Sequence, residues 1–195
     1  MKKTFIFYLL LMSIISQAQN SFFIDGEGEK TVMRDDRIDL NITDSKLSYA
    51  EVGKSWRKQI SFKKLDYAII GDLYFKSFQL TKPNGKKFKK SAYFVITETD
   101  DKKLICFTFS VFGSVTSTYV CKVYIIDNSG NILDYVQCTD EPRYLKERGQ
   151  ITDIINKHFS DCPILLEKYA KFNTFDSKNI DLLSFFSHPS YLKCN

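Results

Sequence analysis

Histidine is almost missing from this chain. His158 and His188 are the only two, beside a single tryptophan, Trp56. Any histidine-based mechanism must therefore use one of two positions. No C-x-x-C pair occurs, which removes the usual spacing of a zinc site or a thioredoxin-like redox centre. There is no G-x-S-x-G around a serine nucleophile. Gly-rich phosphate loops of the P-loop or dinucleotide-binding type are absent too. After the first fifteen residues, no apolar run approaches the roughly 20 residues of a membrane-spanning helix. Charge of one sign is also modest: 28 Lys+Arg face 23 Asp+Glu. That balance does not argue for a nucleic-acid partner. The sequence suggests no cofactor and no catalytic residue.

The first segment of the chain is an address. Lys2 and Lys3 precede the apolar run Phe5 to Ile15, and Ser16-Gln17-Ala18 then places small residues where a signal peptidase cuts. This is the layout of a secretory signal peptide over residues 1–18. Its loss would remove two lysines and leave residues 19–195 as one domain of ordinary size. All five cysteines (Cys106, Cys121, Cys138, Cys162, Cys194) lie in that remainder, and none at the cleavage site. The expected location is outside the cytoplasm, periplasmic or secreted, without the lipid-bearing cysteine of a bacterial lipoprotein. Disulfides persist there, and an odd count leaves at least one thiol over.

From residue 31 to about 140 the text is β-rich. Strands are expected near Arg37–Ile42, Lys46–Val52, Trp56–Phe62, Leu73–Thr81, Lys87–Thr97, Lys103–Phe112, Ser117–Asp127 and Asn131–Cys138. In one of them Ile105, Phe107, Phe109 and Val111 share a face, with Cys106, Thr108 and Ser110 opposite, the period of a half-buried antiparallel strand. Lys82-Pro83-Asn84-Gly85, Asp100-Asp101 and Asp127-Asn128-Ser129-Gly130-Asn131 mark hairpin turns. Consecutive hairpins imply a meander, either a twisted sheet or a barrel-like one. From about residue 145 to 188 the pattern turns helical. Ile151, Ile154, Ile155 and Phe159 recur at helical spacing over Leu145 to Phe159. Pro163 breaks that helix, and Ser160 or Asp161 can cap a second one reaching Ala170. Asp176 or Ser177 can cap a third, reaching about Phe186.

Candidate chemistry is sparse, and each candidate has a plainer alternative. His158 and Cys162 stand four apart, as a Cys–His pair or two metal ligands would, but Pro163 interrupts the helix there. The plainer alternative is a boundary histidine beside a structural cysteine. Asp25-Gly26-Glu27-Gly28-Glu29 loosely echoes a calcium loop, yet Lys30 occupies the position that needs glycine; a solvated turn is the alternative. Lys82, Lys86, Lys87, Lys89 and Lys90 surround the Pro-Asn-Gly turn with Phe88 and Tyr93 between them. They suit contact with an anionic surface, or simply keep a hairpin tip solvated. Asn41-Ile42-Thr43 matches an N-glycosylation acceptor. Paired carboxylates of a hydrolase would leave no spacing to find.

Phe159-Ser160-Asp161-Cys162-Pro163-x-Leu165, with a lone Cys194 near the end, resembles secreted proteins of Bacteroidetes-type bacteria. Ile60-Ser61-Phe62-Lys63-Lys64-Leu65-Asp66-Tyr67, followed by Tyr74-Phe75, is similar to them as well. The resemblance implies export and a β-then-α layout, and supplies no activity. It also sharpens a pairing: Cys162 and Cys194 frame the final helices, and a bridge between them would stabilise by roughly 3 kcal/mol. Cys121 and Cys138, on adjacent expected strands, are the next candidate pair. In architecture the chain is similar to lipocalin-type carriers, although Gly53-Lys54-Ser55-Trp56 is one residue longer than that family's G-x-W and lies far downstream.

The expectation is an α+β fold, an antiparallel meander with C-terminal helices packed on it. The leading functional expectation is an exported, non-catalytic binding or interaction module with a protein or small-molecule partner outside the cytoplasm. A carrier of a small apolar ligand and an extracytoplasmic hydrolase using carboxylates are the alternatives.

Overall fold

The computed structural model describes residues 21–42, 44–112, 117–140, 145–174 and 179–194. The expected signal peptide, Thr43 of the glycosylation match, and the proposed caps Asp176 and Ser177 lie outside these residues. The strands in chain order are β1 (Phe22–Asp25), β2 (Lys30–Val32), β3 (Asp39–Asn41), β4 (Lys46–Tyr49), β5 (Lys58–Ser61) and β6 (Leu65–Ile70). They continue as β7 (Leu73–Phe78), β8 (Ser91–Glu98), β9 (Lys102–Phe112), β10 (Ser117–Asp127), β11 (Ile132–Thr139) and β12 (Leu192–Lys193). Three helices, α1 (Leu145–Phe159), α2 (Pro163–Ala170) and α3 (Asn179–Ser187), stand between β11 and β12.

The expected meander forms. Strands β6 to β11 follow one another antiparallel, and β1 and β2 extend the sheet beyond β6, giving the order β11-β10-β9-β8-β7-β6-β1-β2. β12 joins the same sheet parallel to β8, pairing with Thr97 and Glu98. The sheet is open, with β11 at one edge and β2 at the other. A separate three-stranded sheet, β3-β4-β5, packs on it through Tyr49, whose ring meets Phe23 of β1 at 4.9 Å, and through the following Phe62, whose ring meets Phe75 of β7 edge-on at 5.1 Å. Ser77 donates its hydroxyl to the Phe62 carbonyl at 2.8 Å, so the joint is both apolar and directional.

Four strands escaped the sequence expectation, the short β12 among them. β1 and β2 form a hairpin around the Gly-rich turn, which Asp25 organises by accepting the backbone N–H of Glu27 and of Glu29, both at 2.9 Å. β6 reads Leu-Asp-Tyr-Ala-Ile-Ile, without a clean polar face, because its two faces meet different surroundings: Leu65 and Ala68 are buried while Tyr67 and Ile69 are half-exposed. The expected strand over residues 37–42 is shorter, because Asp35–Arg37 forms a 3-10 turn before β3.

All three helices belong to one face of the main sheet. Ile151, Ile155 and Phe159 of α1, Leu165 of α2 and Phe186 of α3 share a core with Cys106, Cys121, Val123, Val136 and Cys138. The helical spacing read from α1 is thus the buried face. Neither Ser160 nor Asp161 caps α2: Cys162 holds the cap position without a side-chain bond to it, and Pro163 begins the helix. Proline suits a first turn because its missing N–H would have no partner there. At the end of the chain, Thr97 donates to the Leu192 carbonyl at 2.6 Å and Tyr191 donates to Glu98 at 2.9 Å, fixing β12 in the slot beside β8.

Candidate functional site: an open aromatic face and its cleft

Strand parity sends every second residue to the face that carries none of the described helices. Registers Tyr67↔Lys76, Lys76↔Tyr93, Ile105↔Tyr124 and Tyr124↔Tyr135 align these side chains across six strands. Phe107 and Lys122 are opposite each other in the same row. The rings touch in sequence: Tyr67 on Tyr74 at 5.8 Å, Tyr93 on Phe107 and on Tyr124 at 5.9 Å each, and Phe107 on Phe109 at 5.4 Å. Tyr191, from the strand end, adds its ring to Tyr74 at 5.2 Å. Edge-on and offset contacts of this kind stabilise by roughly 0.5–1.5 kcal/mol each. Lysines ride on the array, with Lys76 Nζ 6.0 Å from the Tyr67 centroid and Lys122 Nζ 5.3 Å from that of Phe109.

The alternation read in β9 is therefore real, but its more apolar side is not the one beneath the helices. Leu104 and Cys106 are buried under α3, while Phe107 and Phe109 are half-exposed on the open face. Both sides of the strand are apolar, and that was the signal available in the sequence.

Near the β11 edge the open face folds into a cleft of about 580 Å³. One wall is the turn between β7 and β8, carrying Lys82, Pro83 and Phe88; the other is Lys122 and Tyr124 of β10 with Ile132 to Tyr135 of β11. The turn is held in place from below. Thr81 donates its N–H to the Gly130 carbonyl and accepts from Ile132 N–H, both at 2.9 Å. Gly130 has φ +83°, and a Cβ there would stand 3.1 Å from the Gln79 carbonyl oxygen, so glycine allows the approach. A register slip between Ile125 and Ile126 sets Leu133 as the extra residue of β11, and Leu133 and Tyr135 both line the cleft. Three large apolar residues are unusually bare here: Phe88 is 37%, Leu133 47% and Tyr135 43% exposed. Tyr135 stacks on Tyr124 at 4.7 Å and 30°. Burial pushes the phenols of Tyr124 and Tyr135 up, and that of Tyr93 to about 12, so these rings stay neutral at ordinary pH.

Of the five turn lysines, only Lys82 lines the cleft, its Nζ 4.9 Å from the Phe88 centroid. Lys86, Lys87 and Lys89 are exposed on the same turn and Lys90 is half-buried. Asp134, at the cleft floor, is already committed, with Lys157 Nζ and His158 Nε2 each 2.7 Å from Oδ2. His158 therefore faces a carboxylate rather than Cys162. Cys162 and Cys194 stand at disulfide distance with Cα atoms 5.2 Å apart, which leaves Cys162 no part in a Cys–His pair. Cys121 and Cys138 are direct cross-strand neighbours, yet both are unbonded and buried, as is Cys106. Burial pushes the Cys138 thiol up to about 11 and raises those of Cys106 and Cys121 as well, which makes them poor nucleophiles. Trp56 is 59% exposed in the loop before β5, far from the buried setting of a carrier's motif tryptophan. Among the described residues no cluster of three His, Cys, Asp or Glu side chains could hold a metal ion.

A second cavity, about 630 Å³, lies between β3 and the helix-covered face, bordered by Ile38, Leu40, Phe94, Thr108, Tyr119 and His188. Its apolar walls Ile38, Leu40 and Phe94 are continuous with the main core, so it is the less distinct of the two. Compared with protein-family models, with curated proteins and with solved structures, the chain matches none of them.

Proposed function

We propose that this protein is a non-catalytic binding module working outside the cytoplasm, with the open aromatic face as its binding surface and the cleft beside β11 as its centre. The observation that carries the reading is the gathering of Phe88, Leu133 and Tyr135, all bare, around one cleft on the face that none of the described helices covers. Exposed apolar surface of this kind costs a protein solubility, and clustered patches mark interaction sites. The signal-like first segment, the likeness to secreted Bacteroidetes-type proteins and the cysteine pair at disulfide distance all support export. None of the described helices is long and apolar enough to cross a membrane.

The alternatives find less support. A lipocalin-type carrier encloses its ligand in a closed barrel, whereas this sheet keeps two edges. A carboxylate hydrolase needs one acid held protonated near neutral pH. The shifted carboxylates here move the other way: hydrogen bonds from Lys157 and His158 lower Asp134. In Glu98, burial pulls upward, but Lys103 and Tyr191 outweigh it.

Screening a library of small aromatic fragments by amide NMR tests the reading. Shifts should centre on Phe88, Tyr124, Leu133 and Tyr135, and Tyr135→Ala should remove them. Shifts confined to the cavity beside β3 would relocate the site, and an absence of any would sink the proposal.

A further inference from the structure

Resting on the reading above, we infer the chemical class of the cleft's ligand: a small, flat-ringed carboxylate, its ring against Tyr135 and Phe88 and its acid group held by Lys82 and Lys122. Three features lead there. First, the cleft's volume of about 580 Å³ lies within the roughly 300–1,000 Å³ of ordinary small-molecule sites. A body of one or two fused rings occupies it; an extended protein segment does not need it.

Second, the walls are flat and apolar. Pro83, Phe88 and the stacked Tyr124–Tyr135 pair present ring faces, and Tyr135 turns 43% of its surface to solvent with no further ring upon it among the described residues. An incoming ring extends that stack. Polar groups able to read hydroxyls are few: Asp134 is taken by Lys157 and His158, and the Tyr135 hydroxyl donates to Gln137 at 3.1 Å. A sugar, which carries a hydrogen-bonding group on nearly every carbon, would leave most of them unpaired in such a cleft.

Third, the charge is uncompensated. Lys82 and Lys122 both line the cleft and neither forms an ion pair among the described residues; each lies only over a ring face. The one carboxylate lining the cleft, Asp134, is already held by Lys157 and His158. The cleft thus offers an apolar body and two free ammonium groups, the complement of an aromatic acid. A charge-assisted hydrogen bond in such a setting changes affinity by about tenfold or more.

The probes are 2-naphthoate and its neutral twin 2-naphthamide, titrated into the purified protein by calorimetry and amide NMR, with digalacturonate as the sugar arm. Naphthoate should bind at the cleft at least about tenfold more tightly than naphthamide at low salt. Lys82→Gln and Lys122→Gln should each shrink that ratio, and the double variant should bring it to about one. Far-ultraviolet circular dichroism checks that the variants stay folded. Equal affinity for naphthoate and naphthamide overturns the anion assignment and leaves the binding face standing. Tighter binding of digalacturonate than of naphthoate overturns the ring-acid class. Binding of none of the three at this cleft overturns both this inference and the reading on which it rests.

Discussion

Asp134 joins the edge of the sheet to the last turn of α1 by holding Lys157 and His158 on a single oxygen. Its acidity is strengthened, chiefly by the Lys157 hydrogen bond, so its folded pKa lies below the unfolded value. A depressed carboxylate contributes stability that is present above its unfolded pKa, about 4, and is lost as pH falls through the folded one. Asp134→Asn should therefore cost about 0.5–1 kcal/mol near neutral pH, as expected for a partly exposed pair. It should also flatten the decline in stability below about pH 4. Urea melts of both proteins between neutral and strongly acid pH read the difference. Gly130 is the other residue whose identity is dictated locally. Gly130→Ala places a side chain at positive φ against Gln79 and should destabilise by about 1–2 kcal/mol. Hydrogen exchange at the Thr81 and Ile132 amides should quicken more than at β9, because those two bonds clip the turn to β11.

Among the elements, the C-terminal helices and β12 depend on one crosslink. Cys162 and Cys194 are 32 residues apart, and reducing them frees that loop in the unfolded chain. The expected loss is about 3–4 kcal/mol. Non-reducing peptide mapping of the protein purified without reductant should find this pair oxidised, with Cys106, Cys121 and Cys138 alkylated only after denaturation; finding both Cys162 and Cys194 free would exclude the bridge. How well each element could be read from sequence follows from its surroundings. α1 was legible because one stripe meets the core and the rest meets water, so Ile151, Ile155 and Phe159 stand out at their spacing. The hairpins were legible because Gly85 and Gly130 sit at the positive φ their turns demand. β6 was not, since Tyr67 and Ile69 lie on an open face that is itself apolar and blurs the alternation. The cleft was half legible: Lys82 and Phe88 stood out beside the turn, while Leu133 and Tyr135 join them only through the sheet's curl and the slip in β11.

At the scale of the whole molecule, the two sheets are coupled through one shared core, with Tyr49 on Phe23 at one point and Phe62 on Phe75 at another. Phe62 and Phe75 are fully buried and touch each other, and Phe62 also shares its carbonyl with Ser77. Phe62→Ala should cost about 3–5 kcal/mol. If the sheets unfold as one body, the loss appears in a single transition, with Trp56 fluorescence from the small sheet and far-ultraviolet circular dichroism from the large one still coinciding. Two separated transitions would show that the joint is weaker than its burial implies. The slot beside β8 has a consequence for the order in which the molecule is assembled. Thr97 receives its partner Leu192 from 95 residues later in the chain, so a strand inside the main sheet lacks part of its hydrogen bonding until β12 has been synthesised. Contacts so distant in sequence form slowly. A chain lengthening from its N-terminal end thus leaves one position of β8 open until β12 follows, and that slot is the last part of the main sheet to close.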